Sequence, residues 1–276
     1  MQPVFPAPLR WWTCLLWAGV GIACIFWLDD LLSSHFHQNP ISDSVKDFFD
    51  AAEQFGTPFG QLLLLALLSW CGLTLAEPAQ QGSAQHKPSW DPRVIRVFVT
   101  GVLAGLSSNV VKLLISRTRP REFDFEAQAS ALESFTGVFA FGAGGSAQQS
   151  FPSAHAACAF GFAVALATLL PRHRWLLLGY AVLVCLQRIG SGAHFPSDTC
   201  FGGLLGYVVG TLYLRNDWVI RTWQRIEVRY LGGTANAEMV TVQPVVAASG
   251  PRIVDAVSDQ EALLAGEEFS QTIQQI

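Results

Sequence analysis

Residues 94–120 read VIRVFVTGVLAGLSSNVVKLLISRTRP. From Val94 to Ile115 the stretch is long and apolar enough for a membrane helix, which needs about 20 such residues. Its only charges are Arg96 near the start and Lys112 near the end. Arg117, Arg119 and Arg121 follow at once. Cations placed at the mouth of an apolar helix are costly, so they are functional candidates by default. Five further apolar stretches flank this one: Trp11–Leu28, Phe59–Ala76, Ala154–Leu170, Trp175–Leu186 and Thr199–Leu214. The fifth in chain order reaches full length by running on through Gln187 and Arg188. An all-α, six-transmembrane-helix bundle over residues 1–215 is the expected fold.

Composition points the same way. Of 276 residues, 51% are hydrophobic and 14% charged, where a soluble domain averages about 25% charged. Mean hydropathy is +0.34. A disordered chain, a collagen, a coiled coil and an ordinary soluble enzyme are excluded. A net charge of -4 argues against a nucleic-acid partner. Arg10 precedes the first span as in a signal peptide, but Asp29 and Asp30 follow in place of a small-residue cleavage site, so the span reads as a retained anchor. With both termini cytoplasmic, ten Lys and Arg fall inside and six outside, five of the six in two clusters. All six cysteines fall in apolar spans without Cys-x-x-Cys spacing and read as packing residues.

The polar segments have distinct characters. Asp43–Phe55 mixes Phe48, Phe49, Ala52 and Phe55 with Asp47, Asp50 and Glu53, the pattern of an amphipathic helix at the outer surface. Residues 77–92 form a polar loop. Residues 117–151 form the longest internal loop, Gly-rich from Gly137 to Gly145, with part of it expected to be mobile and to serve in binding. Residues 216–231 carry Arg221, Arg225 and Arg229 at four-residue spacing and read as a basic interfacial helix or a stop-transfer flank. Residues 232–276 read as a disordered cytoplasmic tail.

Three groups carry chemistry: Lys112 with Arg119; Pro152-Ser153-Ala154-His155; and Arg188, His194 and Asp198. With six alternating spans all three fall on the outer side. Three permanent cations, two imidazoles and a carboxylate make an anion site with acid–base or nucleophilic capacity. Arginine forks match phosphate oxygens. Ser153 and the amides that begin the fourth span add donors where the helix dipole favours an anion. A helix beginning near Pro196 would bring Asp198 within reach of the His194 ring. Arg117 and Arg121 read either as helpers for a second phosphate or as residues reaching for lipid headgroups. His35 and His37 read as loop residues, His86 and His173 fall on the cytoplasmic side, and Trp11, Trp12, Trp90, Trp175 and Trp218 suit an interfacial belt.

Lys112, six residues, then Arg119-Pro120; Pro152-Ser153-Ala154-His155; and Arg188, five residues, His194, three residues, Asp198: in order and spacing this set resembles the three motifs of the type 2 phosphatidic acid phosphatase superfamily. The motif core covers residues 112–198. The resemblance implies a metal-independent lipid phosphate phosphatase with no cofactor. It implies His194 as a nucleophile forming a phosphohistidine, Asp198 as its orienting partner and His155 as the general acid. Lys112, Arg119, Ser153 and Arg188 would bind phosphate. Ala154 stands where the family has Gly, and Gln187 where it usually has Ser before the motif arginine; tuning of the site is expected from both. The implied partners are membrane lipids and a lipid phosphate: an isoprenyl diphosphate, phosphatidic acid, phosphatidylglycerol phosphate or a lipid A phosphate. The implied location is a bacterial inner membrane with the site on the periplasmic face. A phosphotransferase on the same residues and a non-catalytic relative or transporter are the alternatives. Zinc on His155, His194 and Asp198 is disfavoured by the three neighbouring cations, and a haloperoxidase-type vanadate cofactor has no support in the residues.

Overall fold

A computed structural model describes residues 9–70, 92–139, 141 and 144–231. The first apolar stretch forms α1 (Trp11–Ala23), which passes through a π-helical turn at Cys24–Leu28 into α2 (Asp29–Gln38). The helix therefore outlasts its expected end at Leu28. Asp29 and Asp30 do not stop it because both carboxylates are satisfied from elsewhere in the fold: Asp29 by Arg117 and Ser197, and Asp30 by the Ala131 amide at 2.5 Å and Ser130.

Next come α3 (Asp43–Glu53), a 3₁₀ turn at Gln54–Gly56 and α4 (Pro58–Trp70). The end of the second expected span, the 77–92 loop apart from Pro92, and Cys71 lie outside the described residues. Then follow α5 (Pro92–Leu114), α6 (Ala154–Leu169), α7 (Arg174–Gly190), α8 (Pro196–Arg215) and α9 (Asp217–Leu231). All six apolar stretches thus meet helix. The fifth does run through Gln187 and Arg188, and the sixth begins at Pro196, whose fixed φ suits a first helical turn.

α6 is the centre. Ala156 through Leu166 are all buried, so no face of this helix is left for solvent. Its small side chains let neighbours approach, as in tightly packed membrane helices. On α8, a Cβ at Gly202 would run into the Ser153 carbonyl and one at Gly206 into the Ala157 carbonyl. Those glycines bring the start of α8 against the start of α6. Leu65 from α4, Val94 and Val97 from α5, Phe162 and Leu166 from α6 and Leu214 from α8 close the lower core.

Large apolar side chains remain exposed on α1, α4, α5 and α7, among them Leu16, Phe59, Leu63, Leu106, Val110, Leu176 and Val182. Apolar exposure on this scale marks a membrane or partner contact. The continuous helix Trp11–Gln38 and α5 are long and apolar enough to cross a membrane; Pro58–Ser69 and α6 are apolar but shorter.

The all-helical expectation needs one correction. Ile115–Arg117 (β1) pairs antiparallel with Phe135–Val138 (β2), with an irregularity between Ser116 and Arg117. β-Branched and aromatic residues favour the extended form here. The loop beyond β1 is tied down: Thr118 donates to Ser134 at 2.8 Å, Arg119 to Ala147 at 2.9 Å and Ser150 to Arg117 at 3.0 Å, all through backbone amides. The Gly137–Gly145 segment, expected to be mobile, lies partly outside the described residues.

α9 forms where the basic helix was expected. Trp223 Nε1 donates to the Tyr213 hydroxyl at 3.0 Å, and Glu227 comes within 3.9 Å of Arg96 on α5. The expected disordered tail, 232–276, lies outside the described residues. Cys14, Cys24, Cys158, Cys185 and Cys200 are free thiols.

Candidate active site

Four helix ends converge. Lys112 lies in the last turn of α5, Ser153 and His155 at the start of α6, Arg188 in the last turn of α7, and Asp198 in the first turn of α8. Backbone hydrogen bonds tie the second motif to the third and close the third on itself. The Ser153 amide donates to the Asp198 carbonyl at 2.9 Å, and the Ala193 and His194 amides each donate to the Arg188 carbonyl at 3.1 Å. Ser108 Oγ donates to the Pro152 carbonyl at 3.0 Å, binding α5 to the segment before α6. Lys112 Nζ donates to the Gln149 carbonyl, with the Ser150 carbonyl at 3.5 Å.

His194 is 2% exposed. Its Nδ1 faces Asp198 Oδ2 at 3.6 Å, beyond hydrogen-bond range, and has no other partner among the described residues. Burial pushes its pKa down to about 3; Asp198 opposes the shift, while Lys112 and Arg119 reinforce it. The imidazole is therefore neutral at pH 7, the form that can attack phosphorus. Asp198 is held from several sides: Oδ2 accepts from Ser150 Oγ at 2.6 Å and the Phe195 amide at 2.9 Å, and Oδ1 from Arg117 at 2.5 Å.

Arg119 Nε donates to the Ser146 carbonyl at 2.8 Å, and Nη1 lies 3.5 Å from the Ala193 carbonyl. Burial, then Arg121 and Arg188, draw its pKa below the ordinary arginine value. Ser153 caps α6, its Oγ accepting from the Ala156 amide at 3.4 Å. Ala154 opens the helix half-buried. Arg188 Nη1 donates to Glu53, and its buried Nε has no partner among the described residues.

Three residues with no motif signal shape the site. Arg117 is fully buried, which overturns both expectations for it. Its Nε donates to Ser134 Oγ at 2.9 Å, Nη1 to Ser197 Oγ at 2.7 Å and to Asp198, and Nη2 to Asp29 at 2.7 Å. The guanidinium lies over the Phe135 and Phe195 rings at 4.2 and 4.0 Å. Asp29 also accepts from the Ser197 amide at 2.9 Å, satisfying an amide at the start of α8. Glu53, on the helix expected to lie at the outer surface, reaches Arg188 and sits 3.4 Å from His155 Nε2. Gln187 Nε2 donates to Asp50 on the same helix at 2.8 Å. Arg121, by contrast, is half exposed and paired with Glu122 at 3.3 Å.

A cleft of about 660 Å³ opens beside Arg188, lined in part by Phe36, Asp43, Lys46, Asp50, Arg121 and Ser191.

Residues 93–221 match the description of the PAP2 superfamily. A lipid A 1-phosphatase of Rhizobium johnstonii is 30% identical over 210 residues, 72% of this chain and 78% of the relative. The chain belongs to the PAP2 superfamily. A lipid A 1-phosphatase of Rhizobium etli is 29% identical over 220 residues, 75% of this chain and 87% of the relative. No solved structure matches it. Family and relatives make this PAP2 chain a phosphatase. The motif residues all lie inside the matched stretch, whereas Asp29, Asp50 and Glu53 lie before it.

Proposed function

We propose that this PAP2 phosphatase hydrolyses a phosphate monoester of a membrane lipid through a phosphohistidine on His194, with the 1-phosphate of lipid A as the favoured substrate. The observation that carries the chemistry is the neutral, buried His194 backed by Asp198 and acted on by the Lys112 and Arg119 charges. The two relatives support the choice of lipid A among the four lipid classes.

In this reading Lys112, Arg119 and Arg188 bind the phosphoryl oxygens, and Ser153 and the first amides of α6 add donors. Donors now spent on the Gln149, Ser150 and Ser146 carbonyls turn to phosphate. The His194 nitrogen away from Asp198 attacks phosphorus, and Nδ1 closes on Asp198 as the ring gains positive charge. His155 gives a proton to the leaving oxygen. Water then hydrolyses the phosphohistidine. Preorganised cations of this kind carry most of the catalysis in phosphoryl transfer. In this reading the six apolar helices span the membrane, and the convergence of four helix ends supports a site at one face, read as the periplasmic face of a bacterial inner membrane. The cleft beside Arg188 receives part of the headgroup.

The test is phosphate release by the detergent-purified protein, with chelator present, from lipid A, phosphatidic acid, phosphatidylglycerol phosphate and an isoprenyl diphosphate. Release from lipid A should exceed the others and vanish in His194→Ala. Release that survives in His194→Ala, or that chelator abolishes, overturns the mechanism.

A further inference from the structure

α3 is amphipathic, and its acidic face turns to the site. Three observations fix it there. Asp50 accepts from Gln187 at 2.8 Å. Glu53 accepts from Arg188 Nη1. At the turn that follows, Gly56 packs so closely that a Cβ would lie 3.1 Å from both Cβ and O of His155 and 2.8 Å from Val184. The end of α3 is thus held against His155, and Glu53 Oε1 lies 3.4 Å from its Nε2.

The charges around His155 make this contact matter. From α5 it faces Lys112, from the loop after β1 Arg119, and from α7 Arg188. All three are cations, placed to draw phosphate oxygens to this side of the ring. From α3 it faces Glu53, the carboxylate found within 4.0 Å of it among the described residues. A general acid must hold its proton until the leaving oxygen needs it. A carboxylate beside the ring, together with the phosphate that the cations bind, favours the protonated imidazole when substrate is present.

We propose that Glu53 is a positioning residue for the acid step, orienting the His155 ring for donation to the leaving oxygen and holding Arg188 in place beside it. The inference rests on His155 being the acid. As the His194 nitrogen–phosphorus bond forms, the phosphorus–oxygen bond to the leaving group breaks. The His155 proton passes to that oxygen, which departs as an alcohol. The imidazole, now neutral, takes a proton from the water that attacks the phosphohistidine, and it returns to the charged form beside Glu53. Glu53 exchanges no atom with the substrate. Gln187, where the family usually has Ser, reads here as the residue that docks α3 through Asp50.

The experiment compares two leaving groups in the full-length protein: lipid A, whose sugar oxygen needs a proton to leave, and 4-nitrophenyl phosphate, whose phenolate leaves without one. Glu53→Gln should lower kcat on lipid A about 10- to 100-fold with little change in KM. Its loss on 4-nitrophenyl phosphate should be several-fold smaller. Glu53→Asp should recover part of the difference. It also carries the comparison if the glutamine variant does not fold. Equal losses on both substrates, or no loss on either, overturn the proposal. His155→Gln, run beside them, separates the two readings. It should show the same selectivity, more strongly. If it loses both substrates equally, the acid assignment itself falls. If it is selective and the Glu53 variants are not, only Glu53's part falls.

Discussion

Arg117 and Arg119 stand two residues apart in one short extended segment, yet they belong to different parts of the molecule. Arg117 points into the protein, where every guanidinium nitrogen has a partner and two carboxylates neutralise it. Arg119 reaches the Ala193 carbonyl, next to His194 in the chain, and among the described residues it donates to backbone carbonyls. A cation surrounded by carboxylates is structural; a cation offered only neutral acceptors still has charge to give an anion. The difference separates the frame that holds Asp198 from the proposed phosphate clamp, and it can be tested residue by residue.

The largest effect should come from Arg117→Ala. It leaves Asp29 and Asp198 buried without their cation, and breaking a buried pair in this way costs about 3–5 kcal/mol. Thermal unfolding in detergent should show a large loss of stability, with activity falling as folded protein is lost. Arg117→Lys should not restore it, because a single ammonium cannot span Ser134, Ser197, Asp198 and Asp29 together. A stable, inactive Arg117→Ala would instead put this residue in the clamp.

Arg119→Ala should do the reverse. Losing one charge stabiliser from a preorganised site lowers kcat/KM by about 10²–10³-fold. The unfolding midpoint should move little, since the carbonyls of Ser146 and Ala193 remain within reach of other donors or water. Loss of stability equal to that of Arg117→Ala would erase the distinction between frame and clamp.

How far the sequence reached follows the same division. The helices were legible because apolar runs of membrane length leave few alternatives, and the clamp because lysine, arginine and histidine at fixed spacings are rare in such runs. The frame was not legible. Arg117 looked like its neighbours, because nothing local distinguishes an arginine that turns inward from one that turns outward. Its partner Asp29 lies 88 residues earlier in the chain. In the sequence, Asp29 and Asp30 looked like the end of a span. Their meaning depends on a contact between the first helix and the start of α8 that no short-range pattern encodes. The pairing of β1 with β2 was missed for a similar reason: three and four residues are too few to show a period against a Gly-rich loop. Glu53 was visible on an amphipathic helix, but the pattern did not say that its polar side would meet the site and not water.

A smaller effect, and a test of how closely frame and clamp enclose His194, is the pH dependence of stability. Its pKa in the folded protein is pushed down to about 3, against about 6.5 in an unfolded chain. Above about pH 6.5 both states are neutral and the group contributes nothing to the slope. Below that, the unfolded chain takes up a proton and the folded one does not. Stability therefore falls as pH falls from about 6.5 toward 3, by about 1.4 kcal/mol per unit at most from this residue. Denaturant unfolding at pH 7.5 and 5.5 should show the loss, and His194→Gln should remove this residue's part of that difference. An unchanged slope in the variant would mean that the imidazole is solvated and protonates freely, which the enclosure by Asp198, Lys112 and Arg119 does not allow.

The smallest effect should come from Arg121, the third arginine of the cluster. Its backbone is anchored, the amide donating to the Gly192 carbonyl at 3.0 Å, but its side chain is half exposed and its partner Glu122 equally so. Exposed pairs of this kind contribute about 0–1 kcal/mol. Arg121→Ala should therefore leave the unfolding midpoint and the turnover of 4-nitrophenyl phosphate close to wild type. Arg121 lines the cleft beside Arg188, so any change should fall on KM for a lipid with a bulky anionic headgroup. A rise in KM for lipid A alone would extend the comparison to three arginines in five residues, one for the frame, one for the phosphate and one for the headgroup. A fall in kcat on both substrates would show that the clamp extends one residue further than the hydrogen bonds indicate.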